Sequence, residues 1–403
     1  FLQCVLLQAQ TIPESPVVVR VASFNAYMNR PHEGQLAAEL ADAESHSANQ
    51  QVRAVAEIIQ RIRPDVILLN EFDFDAEGSA LMSFQQHFLG VSHNQLPPVF
   101  YPYSFHAPSN TGADSGLDLD GDGKPGGPGD AFGFGAFPGQ YGMVILSKYP
   151  IIESQIRTFR HFLWRDMPGA LLPDNLNTAA PSDFYTPAQL QVFRLSSKSH
   201  WDVPVQVDSN IIHMLAAHPT PPVFDGPEDR NGARNHDEIR LWADYVGPPQ
   251  ASRYIIDDQG RAGGLGQQRF VVLGDYNADP VDGDSRQSAI HQLLNHPAIN
   301  AEWVPASVGG VEDAEAEGMA NAAHTGAARF DTADLNPNGP GNLRIDYVLP
   351  SRYGLTPVDG GVFWPTVRDP ARYLVGDGFP VVSSDHRLVW LDLEVRAEAQ
   401  VTP

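Results

Sequence analysis

Short apolar runs, each closed by a polar group, limit what this chain can become more than any other feature. Residues 17–24, 66–69, 211–217, 270–273 and 343–349 are rich in Val, Ile and Leu, and each is too short for a buried helix. They read as strands of sheets covered on both faces. The closing groups are of one kind: Ser23-Phe24-Asn25, Leu69-Asn70-Glu71, Ala217-His218, Gly274-Asp275-Tyr276-Asn277 and Ser384-Asp385-His386. Arg344-Ile345-Asp346-Tyr347 adds an aspartate inside such a run. Strand ends carrying carboxylates, amides and imidazoles point to one shared centre. Oxygen and imidazole donors without a cysteine suit Mg²⁺, Mn²⁺ or Ca²⁺.

Between these runs the spacing predicts a helix over 49–63, with Val52, Val55, Ile59 and Ile62 on one face until Pro64-Asp65 stops it. Helices are also expected over 236–245 and 286–294, and strands over 141–146, 151–157, 192–197 and 388–395. A strand–helix–strand start implies a buried sheet covered by helices. The loops 110–140, 160–185, 219–235 and 300–342 are long, and long loops in a compact fold usually build a site. No linker divides the candidate ligands, so residues 17–396 read as one catalytic domain. A segment 1–16 precedes it and a tail, 397–403, follows. Apolar residues 1–10 resemble the remnant of a signal peptide, which implies an extracellular or periplasmic location. No apolar run approaches the ~20 residues of a membrane-crossing helix. Cys4 is the only cysteine, so no intrachain disulfide forms.

Charge narrows the partners. The net charge is −23, and lysine occurs only at Lys124, Lys148 and Lys198. Such a surface repels polyanions at long range, which favours a small phosphate ester and leaves nucleic acid as the secondary partner. Oligomeric state is left open.

In order, Asn25, Glu71, His218, Asp275 with Asn277, Asp346, and Asp385-His386 resemble the endonuclease/exonuclease/phosphatase superfamily. The most specific stretches are Leu273-Gly274-Asp275-Tyr276-Asn277-Ala278-Asp279-Pro280, Ser384-Asp385-His386 before a strand, and Tyr141-Gly142-Met143-Val144-Ile145-Leu146 running on to Ile151. The resemblance implies an α/β fold, a four-layer α/β/β/α sandwich of two mostly antiparallel sheets. It implies a metal-dependent phosphoric ester hydrolase in which Glu71 and Asp385, with Asn25 nearby, hold Mg²⁺ or Mn²⁺. Asp275 orients or deprotonates water, and Asn277 faces the substrate. His386, held by Asp346, and His218 neutralise phosphate, one of them serving as general acid. There are two departures. Tyr27 stands where the abasic-endonuclease branch carries an aspartate, and Asn70 stands where glutamine is usual.

Residues read directly agree with much of this. Asp275 and Asn277, two apart, share one side of an extended backbone. Asp385 and His386, being adjacent, need a bend to reach one site, and Ser383-Ser384 allows it. His213, inside its strand, reads as structural. Asp118-Leu119-Asp120-Gly121-Asp122-Gly123 alternates carboxylates and supplies a glycine turn, as in extracellular calcium loops, so Asp118, Asp120 and Asp122 are candidate Ca²⁺ ligands. Arg160, Arg165 and Arg234 are candidate phosphate clamps, unless they pair with the chain's own carboxylates. The chain is expected to be an exported phosphatase or small phosphodiesterase. An extracellular nuclease and a non-catalytic calcium-stabilised binding domain are the alternatives.

Overall fold

The computed structural model describes residues 17–41, 50–286, 289–378 and 380–396. The segment 1–16 and the tail 397–403, both set apart in the sequence, lie outside the described residues.

Strands β1 (Val17–Met28), β2 (Val66–Phe72), β3 (Tyr103–His106) and β4 (Met143–Ser147) join two later strands in one sheet. The other sheet is built from β5 (Arg157–Thr158), β6 (His200–Val207), β7 (Asn210–Ala217) and β8 (Arg269–Asp275). A two-residue pair, β9 (Ala333–Asp334) and β10 (Asn342–Leu343), stands apart. The chain then lays down β11 (Asp346–Pro350), β12 (Leu355–Val362) and β13 (Val389–Val395). The six-stranded order is β12-β13-β1-β2-β4-β3 and the five-stranded order is β11-β8-β7-β6-β5. Only β1–β2 and β7–β8 are parallel among the pairs within these two sheets.

The layers follow from side-chain alternation. Val19, Val21, Leu68 and Ile145 of one sheet meet Val203, Met214, Val271 and Leu273 of the other in a shared buried layer. On the outer side of the six-stranded sheet, Phe24, Ile67 and Leu69 pack on helices Gln35–Ala41, Gln50–Ile62 and Ser79–Phe84. Beyond the five-stranded sheet, Leu215, Phe270 and Val272 pack on Ile239 and Trp242 of helix Arg230–Tyr245. The result is the α/β/β/α sandwich with mostly antiparallel sheets.

Local differences have local causes. Residues 192–197 form no strand, whereas β6 follows at once, burying Trp201, Val203, Val205 and Val207. Pro204 argues against a strand in sequence, but β5 pairs only with Trp201 and Asp202, so no neighbouring strand needs an N–H from position 204. Residues 151–156 make a single bridge at Ile151 and a 3₁₀ turn, and the strand, β5, begins only at Arg157. The helix expected over 236–245 starts earlier, at Arg230. The loop 300–342 contains the helix Gly309–Glu317.

Candidate active site

Two parallel pairs deliver four strand ends to the same edge of the sandwich. Asn25 on β1 lies in register with Asn70 on β2, and a bulge follows before Met28. β7 ends at Ala217, just before His218, and β8 ends at Asp275. The sheets are stapled there by Asn70, whose Oδ1 accepts the Asp275 N–H at 3.3 Å. Gly274 makes the β7–β8 approach possible: at φ 147°, a Cβ would stand 2.0 Å from the Ala217 carbonyl oxygen. Asp346 opens β11 directly opposite Asp275.

Asp275 is the hub. Its Oδ2 accepts from Asn25 Nδ2 at 3.0 Å and lies 3.2 Å from His218 Nε2 and 3.7 Å from His386 Nε2. His386 Nδ1 is 2.8 Å from Asp346 Oδ2, the same oxygen to which the Thr332 hydroxyl donates at 2.9 Å. Asp275, Asp346, His218 and His386 are all buried. The bend needed by the Asp385-His386 pair is supplied by Ser384, whose hydroxyl donates to the Asn25 carbonyl at 2.7 Å and accepts the His386 N–H at 3.0 Å.

Burial would raise the Asp275 carboxyl, but the charge of His386 and the hydrogen bonds from His218 and Asn25 outweigh it and hold it well below the usual carboxylate range. Burial opposes the His386 imidazolium, yet Asp346 and Asp275 overcome this and keep it charged well above the ordinary histidine range. Burial lifts the Asp346 carboxyl to about 6, with His386 offsetting part of the rise. Burial, then the charge of Lys198, lowers His218 to about 4, so it is neutral near pH 7. Its Nδ1 is enclosed without a partner.

Glu71, next to last in β2, lies in the left-handed region, φ 59°, and accepts from Asn29 Nδ2 at 2.7 Å. Its carboxyl is pushed up to about 7 by burial and then by the like charge of Asp385. Two carboxylates opposing one another beside the Asn25 amide are hard oxygen donors in need of a counter-charge, which fits a divalent cation. Ligand-type atoms of Asp275, Asp346 and His386 also lie within 4.8 Å of one another, but His386 Nδ1 is engaged by Asp346. Tyr27, Glu71, Tyr141 and Asn277 all have φ between 51° and 59°. Strained non-glycine backbone of this kind gathers at functional sites.

Some expectations take a different form. Asn277 does not share a face with Asp275 by strand alternation. The backbone turns left-handed, its N–H bonds Asp275 Oδ1 at 2.9 Å in an Asx turn, and its amide donates to the Pro219 carbonyl at 3.1 Å. Arg234 is no phosphate clamp: it is buried against Phe193, with its donors on the carbonyls of Leu195, Phe132 and Arg194. Arg165 pairs with its neighbour Asp166, and Arg160 leans on His161. His213 bonds Asp202 at 2.6 Å. In the acidic loop the third carboxylate that gathers with Asp118 and Asp120 is Asp130, not Asp122, whose Oδ1 is turned to the Lys124 N–H. Asn29, Lys198 and Thr332 take part in the site with no local signal in the sequence.

The sequence model of the Endonuclease/Exonuclease/phosphatase family matches residues 22–386. No curated protein matches the chain. Among solved structures, an endonuclease/exonuclease/phosphatase from Beutenbergia cavernae is similar at 16% identity and TM-score 0.47, covering 94% of this chain and 72% of its own. TDP2 from Caenorhabditis elegans is similar at 15% identity and TM-score 0.42, covering 94% and 75%. The human Nocturnin catalytic domain, with a bound sulfate anion, is similar at 12% identity and TM-score 0.44, covering 94% and 96%.

Proposed function

This chain belongs to the Endonuclease/Exonuclease/phosphatase family, and from that premise we propose that it is a divalent-metal-dependent hydrolase of small phosphate esters. The observation that carries the reading is the buried Asp275 hub, joined to Asn25, His218 and the His386–Asp346 pair. Glu71 and Asp385, with Asn25 beside them, are the residues that would hold the cation. When bound, a divalent cation supplies Lewis-acid neutralisation of phosphate charge.

The chain's own groups do the rest. Asp275, fixed by Asn25, orients a water by accepting its proton in a hydrogen bond. The His386 imidazolium, held by Asp346, sets a positive charge beside the phosphoryl oxygens, where charge accumulates. Neutral His218 has its Nε2 on the other side of Asp275 and is a candidate hydrogen-bond donor to a phosphate oxygen. The net charge of −23 and the inward commitment of Arg234 support small esters over polyanions.

The test is turnover of a phosphomonoester, a phosphodiester, inositol phosphates, sphingomyelin and plasmid DNA, each with Mg²⁺, Mn²⁺, Ca²⁺ or EDTA, with Asp275→Ala alongside. Metal-dependent hydrolysis of a small ester, lost in Asp275→Ala, is expected. DNA cleavage ahead of every small ester would make the enzyme a nuclease, and no turnover anywhere would end the hydrolase reading. The same proposal includes structural Ca²⁺ at Asp118, Asp120 and Asp130. Ca²⁺ should raise Tm in the wild type but not in Asp120→Ala.

A further inference from the structure

Lys198 is one of three lysines in the chain and is buried, with 7% exposure. It lies two residues before β6, whose His200 pairs with Ala217, so its backbone runs beside His218 and Pro219. Its electrostatic partners include Glu238, Glu71 and Asp275, and its charge acts on His218. Among the described residues its Nζ makes neither an ion pair nor a hydrogen bond. Its Nζ is not wholly enclosed, but an ammonium kept mostly from water with no fixed partner is poorly compensated, and packing alone does not explain it.

Its mounting is specific. Glu238, fully buried on helix Arg230–Tyr245, accepts the Ser197 N–H at 2.6 Å and hydroxyl at 3.0 Å through Oε1. Through Oε2 it accepts the Thr220 N–H at 2.7 Å. The Ser197 hydroxyl also lies 3.4 Å from the His218 carbonyl. One carboxylate therefore ties together the segment carrying Lys198 and the segment carrying His218. The Lys198 carbonyl is fixed by the Asn110 N–H at 2.9 Å.

We propose that Lys198 is a substrate-contacting catalytic residue whose ammonium takes a non-bridging phosphate oxygen on the His218 side of the centre, with Glu238 as its positioning residue. The proposal rests on the hydrolase reading. A point charge on a flexible stem suits a single phosphate oxygen, and an anionic substrate supplies the partner that the resting protein withholds. No other candidate stands as well. The carboxylates of the 118–130 loop already belong to the Ca²⁺ site proposed above, and the ≈ 340 Å³ pocket beside Arg387 has that guanidinium paired with Asp334.

The experiment compares wild type, Lys198→Met, Lys198→Arg and Glu238→Gln for Tm, for kcat and KM on whichever ester the wild type cleaves, and for the Kd of inorganic phosphate with the metal present. Lys198→Met should keep or raise Tm, lose roughly 10²–10³-fold in kcat/KM, and weaken phosphate binding about tenfold. Lys198→Arg should recover part of both losses. Unchanged turnover and phosphate affinity in a folded Lys198→Met would overturn the assignment and leave the hydrolase intact. So would a loss of activity with phosphate affinity unchanged and metal affinity altered, which would make Lys198 a structural counter-ion. A wild type that neither binds phosphate nor turns over any ester would overturn both readings.

Discussion

Asp346 shows how one buried carboxylate can act without touching substrate. One oxygen holds His386 Nδ1 and the Thr332 hydroxyl, while Oδ1 is enclosed without a partner. Asp346→Asn keeps the shape but removes the charge that holds the imidazolium. It should lower kcat by roughly 10²–10⁴-fold with little change in Tm. Adding His386→Ala should cost little more, because the two act as a unit; additive losses in single-turnover assays would separate their roles. His200 sits away from the centre, with Nδ1 2.7 Å from the Ser196 hydroxyl and Nε2 2.9 Å from the Glu238 carbonyl. Burial lowers it to about 4, against an unfolded value of 6.5. The unfolded chain therefore binds the proton more readily, and stability present above pH 6.5 is lost as pH falls towards 4, by at most about 3 kcal/mol. His218 shifts the same way, so the two should add. Urea midpoints between pH 4 and 7 should show a shallower slope for His200→Gln than for wild type; equal slopes would mean that His200 ionises freely. The hub residues were legible because each closes an apolar run. Lys198, Thr332 and Asn29 were not, because none closes an apolar run; Thr332 and Asn29 reach the centre through side-chain contacts with Asp346 and Glu71, and Lys198 through its place beside the His218 segment.

At the scale of elements, the close meeting of β7 and β8 beside the site is a strict requirement. Gly274 adopts a φ of 147°, where L side chains are rare, and any Cβ would strike the Ala217 carbonyl at 2.0 Å. Gly274→Ala must push the strands apart beside Asp275 and His218. We expect a loss of about 1–3 kcal/mol in urea denaturation together with a large fall in kcat; stability and activity both unchanged would mean that the strands separate freely there. Legibility varied with the kind of element. Strands β2, β7 and β8 are continuous apolar runs whose starts are legible to within a residue, but β2 runs on three residues to Phe72 and β8 two residues to Asp275. The helix Gln50–Ile62 announced itself by its buried stripe and the following proline. Strand β6 lies beyond the strand expected over 192–197, although Trp201, Val203, Val205 and Val207 alternate cleanly; Pro204 interrupts the strand pattern there. The arginine loops were read from side-chain chemistry alone, which cannot reveal that Arg234 turns inward to cap three carbonyls.

Across the whole molecule, carboxylates outnumber bases, and a few enclosed cations lie at or near the centre. The chain carries −23 overall, while Lys198, Arg234 and Arg387 are buried and His386 is charged within the hub. An anionic ester therefore approaches against a repulsive long-range field and is attracted only at the cleft. Raising monovalent salt from about 0.01 to 0.1 M shortens the screening length from about 30 Å to about 10 Å. That weakens the distant repulsion more than the buried contacts. With metal held constant, kcat/KM for a small dianionic ester should rise by about two- to fivefold over this range, mostly through KM, in steady-state assays at fixed pH. A protein that gripped nucleic acid through many phosphate contacts would respond with the opposite sign, losing affinity as displaced counterions cease to be released at a gain. A steep fall in kcat/KM with salt would therefore count against a small ester as the preferred substrate, whatever the chemistry at Asp275.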